Sequence, residues 1–162
     1  VRIPVVLDAE AIQVLQSLDN LPLSQKIVIT PHHFEFEQLT GKPFKIRHEE
    51  DNKITLLRTL ATDVKINILL KGPKDIIVSE DGKVSTNETG NPGMTVGGSG
   101  DVLAGVLASL IAQKADPYSA SQIAAFAVGK AGDNLMKERG YSFKATDIAD
   151  ELPFVIRELT EI

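Results

Sequence analysis

The sequence predicts an α/β fold, with helices layered on a mainly parallel central sheet in one domain spanning residues 1–162. Three observations carry this. Apolar runs at Val5–Leu7, Lys26–Thr30 ("KIVIT") and Ile66–Leu70 ("INILL") show no polar alternation, as expected of parallel strands covered on both faces. They alternate along the chain with segments of helical spacing, the order that builds layered α/β domains. Each run also leads into residues able to do chemistry, "LD", "TPHHFE" and "KGPKD", at the strand ends where such sheets gather ligands.

After the first strand, Ala9 to Leu18 places Ile12, Leu15 and Leu18 on one side of a helix. The second strand stops at Pro31, which has no amide to donate. A short helix is expected from His32 to Leu39, ended by Gly41, and another from Lys53 to Thr62. The third strand runs into Lys71 and Gly72. Ile76–Ser79 and Lys83–Thr86 flank "EDG", a hairpin signal. A glycine-rich stretch then leads to three helices, at about Gly100–Gln113, Ser119–Lys137 and Thr146–Leu159, with Gly140 a C-terminal stop for the second. That second helix sets Ile123, Ala124, Ala127, Ala131 and Leu135 at helical spacing. Its small residues permit close approach to the sheet, with core packing the ordinary reading.

Composition narrows the function classes. Apolar residues make up 43% and the net charge is −5, without a long basic run. This argues against duplex nucleic acid as main partner, while leaving room for a local phosphate pocket. There is no cysteine, which excludes disulfides, thiolate chemistry and zinc–sulfur sites. The longest apolar run, Val102 to Ala112, is shorter than the ~20 residues of a membrane span. A cytoplasmic globular protein without a membrane partner is expected.

The most informative stretch is "GGSGD", Gly97 to Asp101, followed by "VLAGVLASLIA". Val102, Leu103, Val106, Leu107 and Leu110 mark a helix with a buried face. Its first turn leaves amides unpaired and partly positive. Glycines let a ligand approach the backbone closely, so the combination suits phosphate. Asp101 then stands where it could accept a proton from an attacking hydroxyl. A plain turn with a first-turn acid, favoured by ~0.3–1 kcal/mol, explains the spacing equally well. The stretch is not a Walker A loop, since no Lys-Ser/Thr pair follows the glycines.

Several long motifs in order carry a resemblance. "GNPGMTVGGSGDVLAGVLASLIAQ" is similar to the signature of the ADP- or ATP-dependent NAD(P)H-hydrate dehydratases, in the ribokinase-like superfamily. "VVLDAEAI" resembles that family's VVLDADAL, "ITPHHFEFEQL" its TPHPGEFARL, "LLKGPKDII" its LKGxxxxI, and "ATDIADELP" its ATDLIDxIP. The resemblance implies a three-layer α/β/α fold and a lyase of nicotinamide-cofactor repair. The (S)-hydrate of NADH or NADPH is phosphorylated by ADP or ATP, with Mg²⁺. Phosphate is then eliminated, giving NAD(P)H, AMP or ADP, and phosphate. "NETGNPGM" leans toward ADP.

Carried over residue by residue, the resemblance makes Asp101 the catalytic base. It assigns the transferring phosphate to the backbone amides of Gly98, Ser99 and Gly100. Lys71, Gly72, Pro73, Lys74 and Asp75 become the nucleotide-phosphate segment, although spacing alone reads as a solvated lysine pair after a strand. His32 and Glu35 are implied substrate contacts; without the resemblance His32 reads as a helix-start residue, and Glu35 reads equally as a first-turn acid. The family's Pro-Gly is here His33-Phe34, which alters that loop. Asp8 is implied as a contact to substrate or magnesium, with Glu10 a first-turn acid of the helix. Asn87 and Glu88 are weaker candidates for holding hydrated Mg²⁺, no metal ligand is certain, and adenine against Ser119–Lys137 is implied only by the family.

Family members extend further at the N-terminus, so the resemblance covers the C-terminal portion of the fold. The chain is expected to lack strands beside Val5–Leu7 and to work with that missing segment as a homo-oligomer. Two other readings stay open: a ribokinase-like kinase for a vitamin-precursor alcohol, using the same Asp101, and a nucleotide-binding module without turnover.

Overall fold

The computed structural model describes residues 3–17, 26–41 and 50–160. Five strands, β1 (Val5–Leu7), β2 (Ile27–Ile29), β3 (Asn67–Leu70), β4 (Asp75–Val78) and β5 (Val84–Asn87), lie side by side in chain order. β1, β2 and β3 are parallel, and the β4–β5 hairpin continues the sheet antiparallel. Helices α1 (His33–Thr40), α2 (Glu50–Val64), α3 (Ser99–Ala112), α4 (Pro117–Arg139) and α5 (Ala145–Thr160) cover it.

The apolar strands are buried because each face has its own core. Val28, Leu69 and Ile77 point into one with Leu103, Leu107, Ala124, Val128 and Ile148 of α3, α4 and α5. Their neighbours Ile27, Ile29, Ile68, Leu70, Ile76 and Val78 point into the other, with Phe36 of α1 and Leu57 of α2. Alternate residues of one strand thus serve opposite layers. β1 pairs only with β2 among the described residues and is half-buried. No described helix is long and apolar enough to cross a membrane.

Helix ends follow their capping residues. Gly41 and Gly140 adopt φ of 63° and 62°, and their amides donate to the Glu37 and Met136 carbonyls at 2.9 Å each. Only glycine takes such φ values freely. Two elements differ from expectation. The segment after β1 is a 3-10 helix, Ala9–Ser17, not an α-helix, and Leu18 lies outside the described residues. Its tighter winding starts at once, with the Ala11 amide donating to the Asp8 carbonyl at 3.1 Å and Ala9 at φ 50°. A further 3-10 turn, Pro92–Met94, is capped by Asn91 before the glycine loop. Ile123, expected on the packed side of α4, is 47% exposed, whereas Ala124, Ala127, Ala131 and Leu135 are buried.

Candidate active site

The parallel pairing brings the ends of β1, β2 and β3 to one edge of the sheet. His32 bridges Lys71, and the Lys71 amide donates to the Pro31 carbonyl at 2.8 Å. Asp8, one residue past β1, therefore faces residues from both neighbours. Its Oδ1 accepts from Thr30 Oγ1 at 2.7 Å and from Lys71 Nζ at 2.8 Å. Glu35 Oε2 stands 3.9 Å from the same ammonium. At an effective dielectric of ~20 the gross attraction is about 6 kcal/mol for the nearer carboxylate and about 4 for the farther, so Asp8 is the stronger tether.

Glu35 is held by a capping box at the start of α1. Its Oε2 accepts from the His32 amide at 2.8 Å, and His32 Nδ1 accepts from the Glu35 amide at 3.3 Å. Both residues thus close a helix end and also border the site. The cap orients them, and His32 remains exposed.

The glycine loop meets this cluster from the opposite layer. Gly98 caps α3 at φ 95° without a side-chain bond. A Cβ on Gly100 would lie 3.4 Å from Lys71 Nζ and 3.7 Å from Asp8 Oδ2. The first turn of α3 therefore abuts the ends of β1 and β3. Among the described residues, no group accepts from the amides of Gly98, Gly100 or Asp101. The Ser99 amide differs from expectation, because the turn entering the helix closes on it and it donates to the Val96 carbonyl at 3.3 Å. The open cradle is accordingly Gly98, Gly100 and Asp101. The Asp101 side chain is exposed, with no hydrogen bond or ion pair among the described residues.

Gly100 is not at positive φ, so alanine fits the helix there. Its methyl would occupy the gap facing Lys71. Gly100→Ala is expected to leave thermal stability unchanged or raised, since alanine outranks glycine in helices by ~0.8–1 kcal/mol. It is expected to weaken phosphate-ligand binding at least ~10-fold by excluding close backbone approach. Melting curves and ligand titration check the two halves separately.

The turn Lys71–Asp75 is shaped from within. Asp75 Oδ1 accepts from the Gly72 amide and Oδ2 from Asn87 Nδ2, each at 3.0 Å. Its carboxylate thus faces the turn and Asn87, and shapes the implied phosphate segment from within. Pro73 is exposed, and Lys74 pairs with Glu88 at 3.3 Å. Asn87 is further committed to Thr89, whose Oγ1 donates to its Oδ1 at 2.9 Å. Asn87 and Glu88 therefore have partners other than a cation. No cluster of three or more His, Asp or Glu suited to a metal occurs among the described residues. His33 packs on Gly72, with Cε1 3.2 Å from where a Cβ would stand. Burial, then the charge of Lys53, hold its imidazole below the usual histidine range.

Burial also pushes the Asp75 carboxyl above the usual aspartate value, against the lowering bonds from Asn87 and Gly72. The folded chain then binds more protons than the unfolded chain in the window just above 3.8. The contribution of Asp75 to stability falls as pH rises through that window. Asp75→Asn is expected to flatten this dependence, which melting temperatures across the window will show.

Four contributors were not singled out from sequence. Thr30 looked like an ordinary strand residue. Gly129 and Gly132 of α4 looked like generic small residues, yet a Cβ on them would strike Thr89 Oγ1 at 2.2 Å and Met94 Sδ at 2.3 Å. Asp133, between loop and helix, accepts from the Gly90 amide and Asn91 Nδ2 at 3.0 Å each. These contacts seat residues 89–94 against α4 just ahead of the glycine loop. The spacing "GKAGD" was the available signal.

Known proteins are similar to this chain in sequence and fold. A family model described as NAD(P)H-hydrate dehydratase matches residues 1–154. The bifunctional NAD(P)H-hydrate repair enzyme Nnr of Pyrobaculum aerophilum is 40% identical over 153 residues, 94% of this chain and 29% of that protein. The ADP-dependent (S)-NAD(P)H-hydrate dehydratase of Cenarchaeum symbiosum is 36% identical over 132 residues, 80% of this chain and 44% of that protein. Among solved structures, the ADP/ATP-dependent NAD(P)H-hydrate dehydratase of Bacillus subtilis, co-crystallised with ATP/Mg²⁺, superposes with a TM-score of 0.84 at 28% identity. It covers 96% of this chain and 55% of that one. The chain thus spans about a third of the length of its first curated relatives and about half of that structure. With the match running through nearly every element, from β1 into α5, the chain belongs to the NAD(P)H-hydrate dehydratase family.

Proposed function

We propose that this chain carries the phosphoryl-transfer half of an ADP- or ATP-dependent dehydration of the (S)-hydrate of NADH or NADPH. The observation that carries this is the meeting of the first turn of α3 with Lys71 at the strand ends, where the Gly100 and Asp101 amides and the Asp101 side chain have no partner among the described residues. Donors already in place where charge develops cost nothing to reorganise at the moment of reaction.

Asp101 takes the proton of the hydrate hydroxyl as its oxygen attacks the terminal phosphorus. The bond from that phosphorus to the nucleotide's bridging oxygen breaks, releasing AMP from ADP or ADP from ATP. The amides of Gly98, Gly100 and Asp101, with Lys71, hold the transferring group. The lone pair of the ring nitrogen then expels phosphate from the adjacent carbon. Loss of a ring proton restores the double bond. Elimination belongs to the substrate, so the protein supplies binding and proton removal. His32 and Glu35, capping α1 at the same edge, border the hydrate's position. Mg²⁺ is expected to arrive on the nucleotide, held by its phosphates and water.

Incubation with hydrated NADH, ADP or ATP, and Mg²⁺ tests this. Recovered NADH absorbance with one phosphate released per NADH supports it. A stable phosphate ester would instead indicate a small-molecule kinase, and nucleotide binding without phosphate release a non-catalytic module.

A further inference from the structure

Thr30 closes β2 and is fully buried. Its hydroxyl has one proton to give. Oγ1 stands 2.7 Å from Asp8 Oδ1 and 3.5 Å from the Leu7 carbonyl, so the carboxylate takes it. Lys71 Nζ reaches the same Oδ1 at 2.8 Å. Two donors, one just past β2 and one just past β3, converge on a single carboxylate oxygen. They fix the plane of the group and leave Oδ2 turned to α3, 3.7 Å from where a Cβ on Gly100 would stand.

The consequence falls on Lys71. A lysine stem has four flexible carbons and its ammonium three donors. One donor is spent on Asp8, and Glu35 lies at 3.9 Å. The ammonium is thereby parked against the first turn of α3 with a donor to spare. Without the Thr30 hydroxyl, Asp8 would lose the bond that sets its angle, and Lys71 would lose its fixed mooring.

We infer that Thr30 is a positioning residue for nucleotide binding, acting through Asp8 to hold Lys71 at the α3 amides. This deepens the phosphoryl-transfer reading and rests on it. Nothing in Thr30 need touch substrate. Its effect is preorganisation, which reduces the ordering that a ligand must otherwise impose.

Thr30→Val keeps the shape and removes the hydroxyl. Thr30→Ser keeps the hydroxyl and removes the methyl. Lys71→Ala supplies the reference. ADP and ATP affinity is measured by titration calorimetry, alongside melting temperature and, for both substrates, KM and kcat. Thr30→Val is expected to weaken nucleotide affinity about tenfold, the scale of one charge-assisted hydrogen bond, with the KM for hydrate little changed. Thr30→Ser is expected to restore most of the affinity, and Thr30→Val to add little on a Lys71→Ala background. Three results would overturn the inference: nucleotide affinity intact in Thr30→Val while its melting temperature falls, serine no better than valine, or effects of Thr30→Val and Lys71→Ala that multiply. Failure of the unaltered chain to bind either nucleotide would remove the phosphoryl-transfer reading itself, and this inference with it.

Discussion

Asp101→Asn is expected to lower kcat by about 10²–10⁴-fold, the usual contribution of a positioned general base, while nucleotide affinity stays close to that of the unaltered chain. The substitution is nearly isosteric and removes only the ability to take a proton. Asp101 is exposed and has no hydrogen-bond partner among the described residues, so no network collapses with it. Its one structural contribution is that of a first-turn acid at α3, about 0.3–1 kcal/mol at most. Melting temperature should therefore barely move, which separates chemistry from folding. Single-turnover phosphate release and nucleotide titration on one preparation decide the matter. Retained rate with lost binding would mean that Asp101 holds a ligand and does not move a proton.

The second large effect concerns the fold. Gly129→Ala puts a methyl 2.2 Å from Thr89 Oγ1 and 2.7 Å from that residue's carbonyl carbon and oxygen. Backbone cannot swing aside as a side chain can, so either α4 or residues 89–94 must shift. Overpacking of this kind costs about 1–3 kcal/mol, or about 2–12 °C in melting temperature for a domain of this size. Gly132→Ala is the internal control. The nearest atoms to its methyl all belong to the flexible Met94 side chain, and a smaller loss is expected. The opposite ranking in thermal unfolding would refute the view that α4 is notched for the Thr89 backbone. The displaced loop leads into Gly98, so a second loss, in nucleotide affinity, is expected from Gly129→Ala alone.

Much of this architecture was legible in the residues. Unbroken apolar runs announced the buried strands β2 and β3, because a parallel strand inside a sheet has no wet face, whereas β1, read the same way, is only half-buried. Gly41 and Gly140 marked helix ends because helix termination uses φ values that other residues avoid. The strand-end sets at Asp8, His32 and Lys71 were legible for the same reason, since polar residues interrupt apolar runs only where the chain leaves the core. What stayed hidden depends on contacts far apart in sequence. Thr30 gains its role only when pairing brings Asp8 and Lys71 to it, and a lone hydroxyl in a strand shows nothing of this. Gly129 and Gly132 read as helix diluents until the loop docks on them. Asp75 sits in a phosphate-like motif, yet its carboxylate turns inward to the Gly72 amide. The Ala9–Ser17 pattern fits α and 3-10 winding alike over so few turns, and the sharp exit after Asp8 decides between them. Ile123 fell in register with the buried alanines, but α4 is packed so widely that its narrow wet stripe lies where periodicity placed core.

Phe36 and Leu103 belong to packing units on opposite sides of the sheet, and the helices bearing them each send an acidic residue to the same rim, Glu35 and Asp101. Any molecule lodged at that rim is clasped by both leaves of a laminate that otherwise share only their middle ply. Occupancy would consequently resist delamination, and slowed cleavage by a protease that attacks transiently parted layers would register a bound guest before any chemistry is measured.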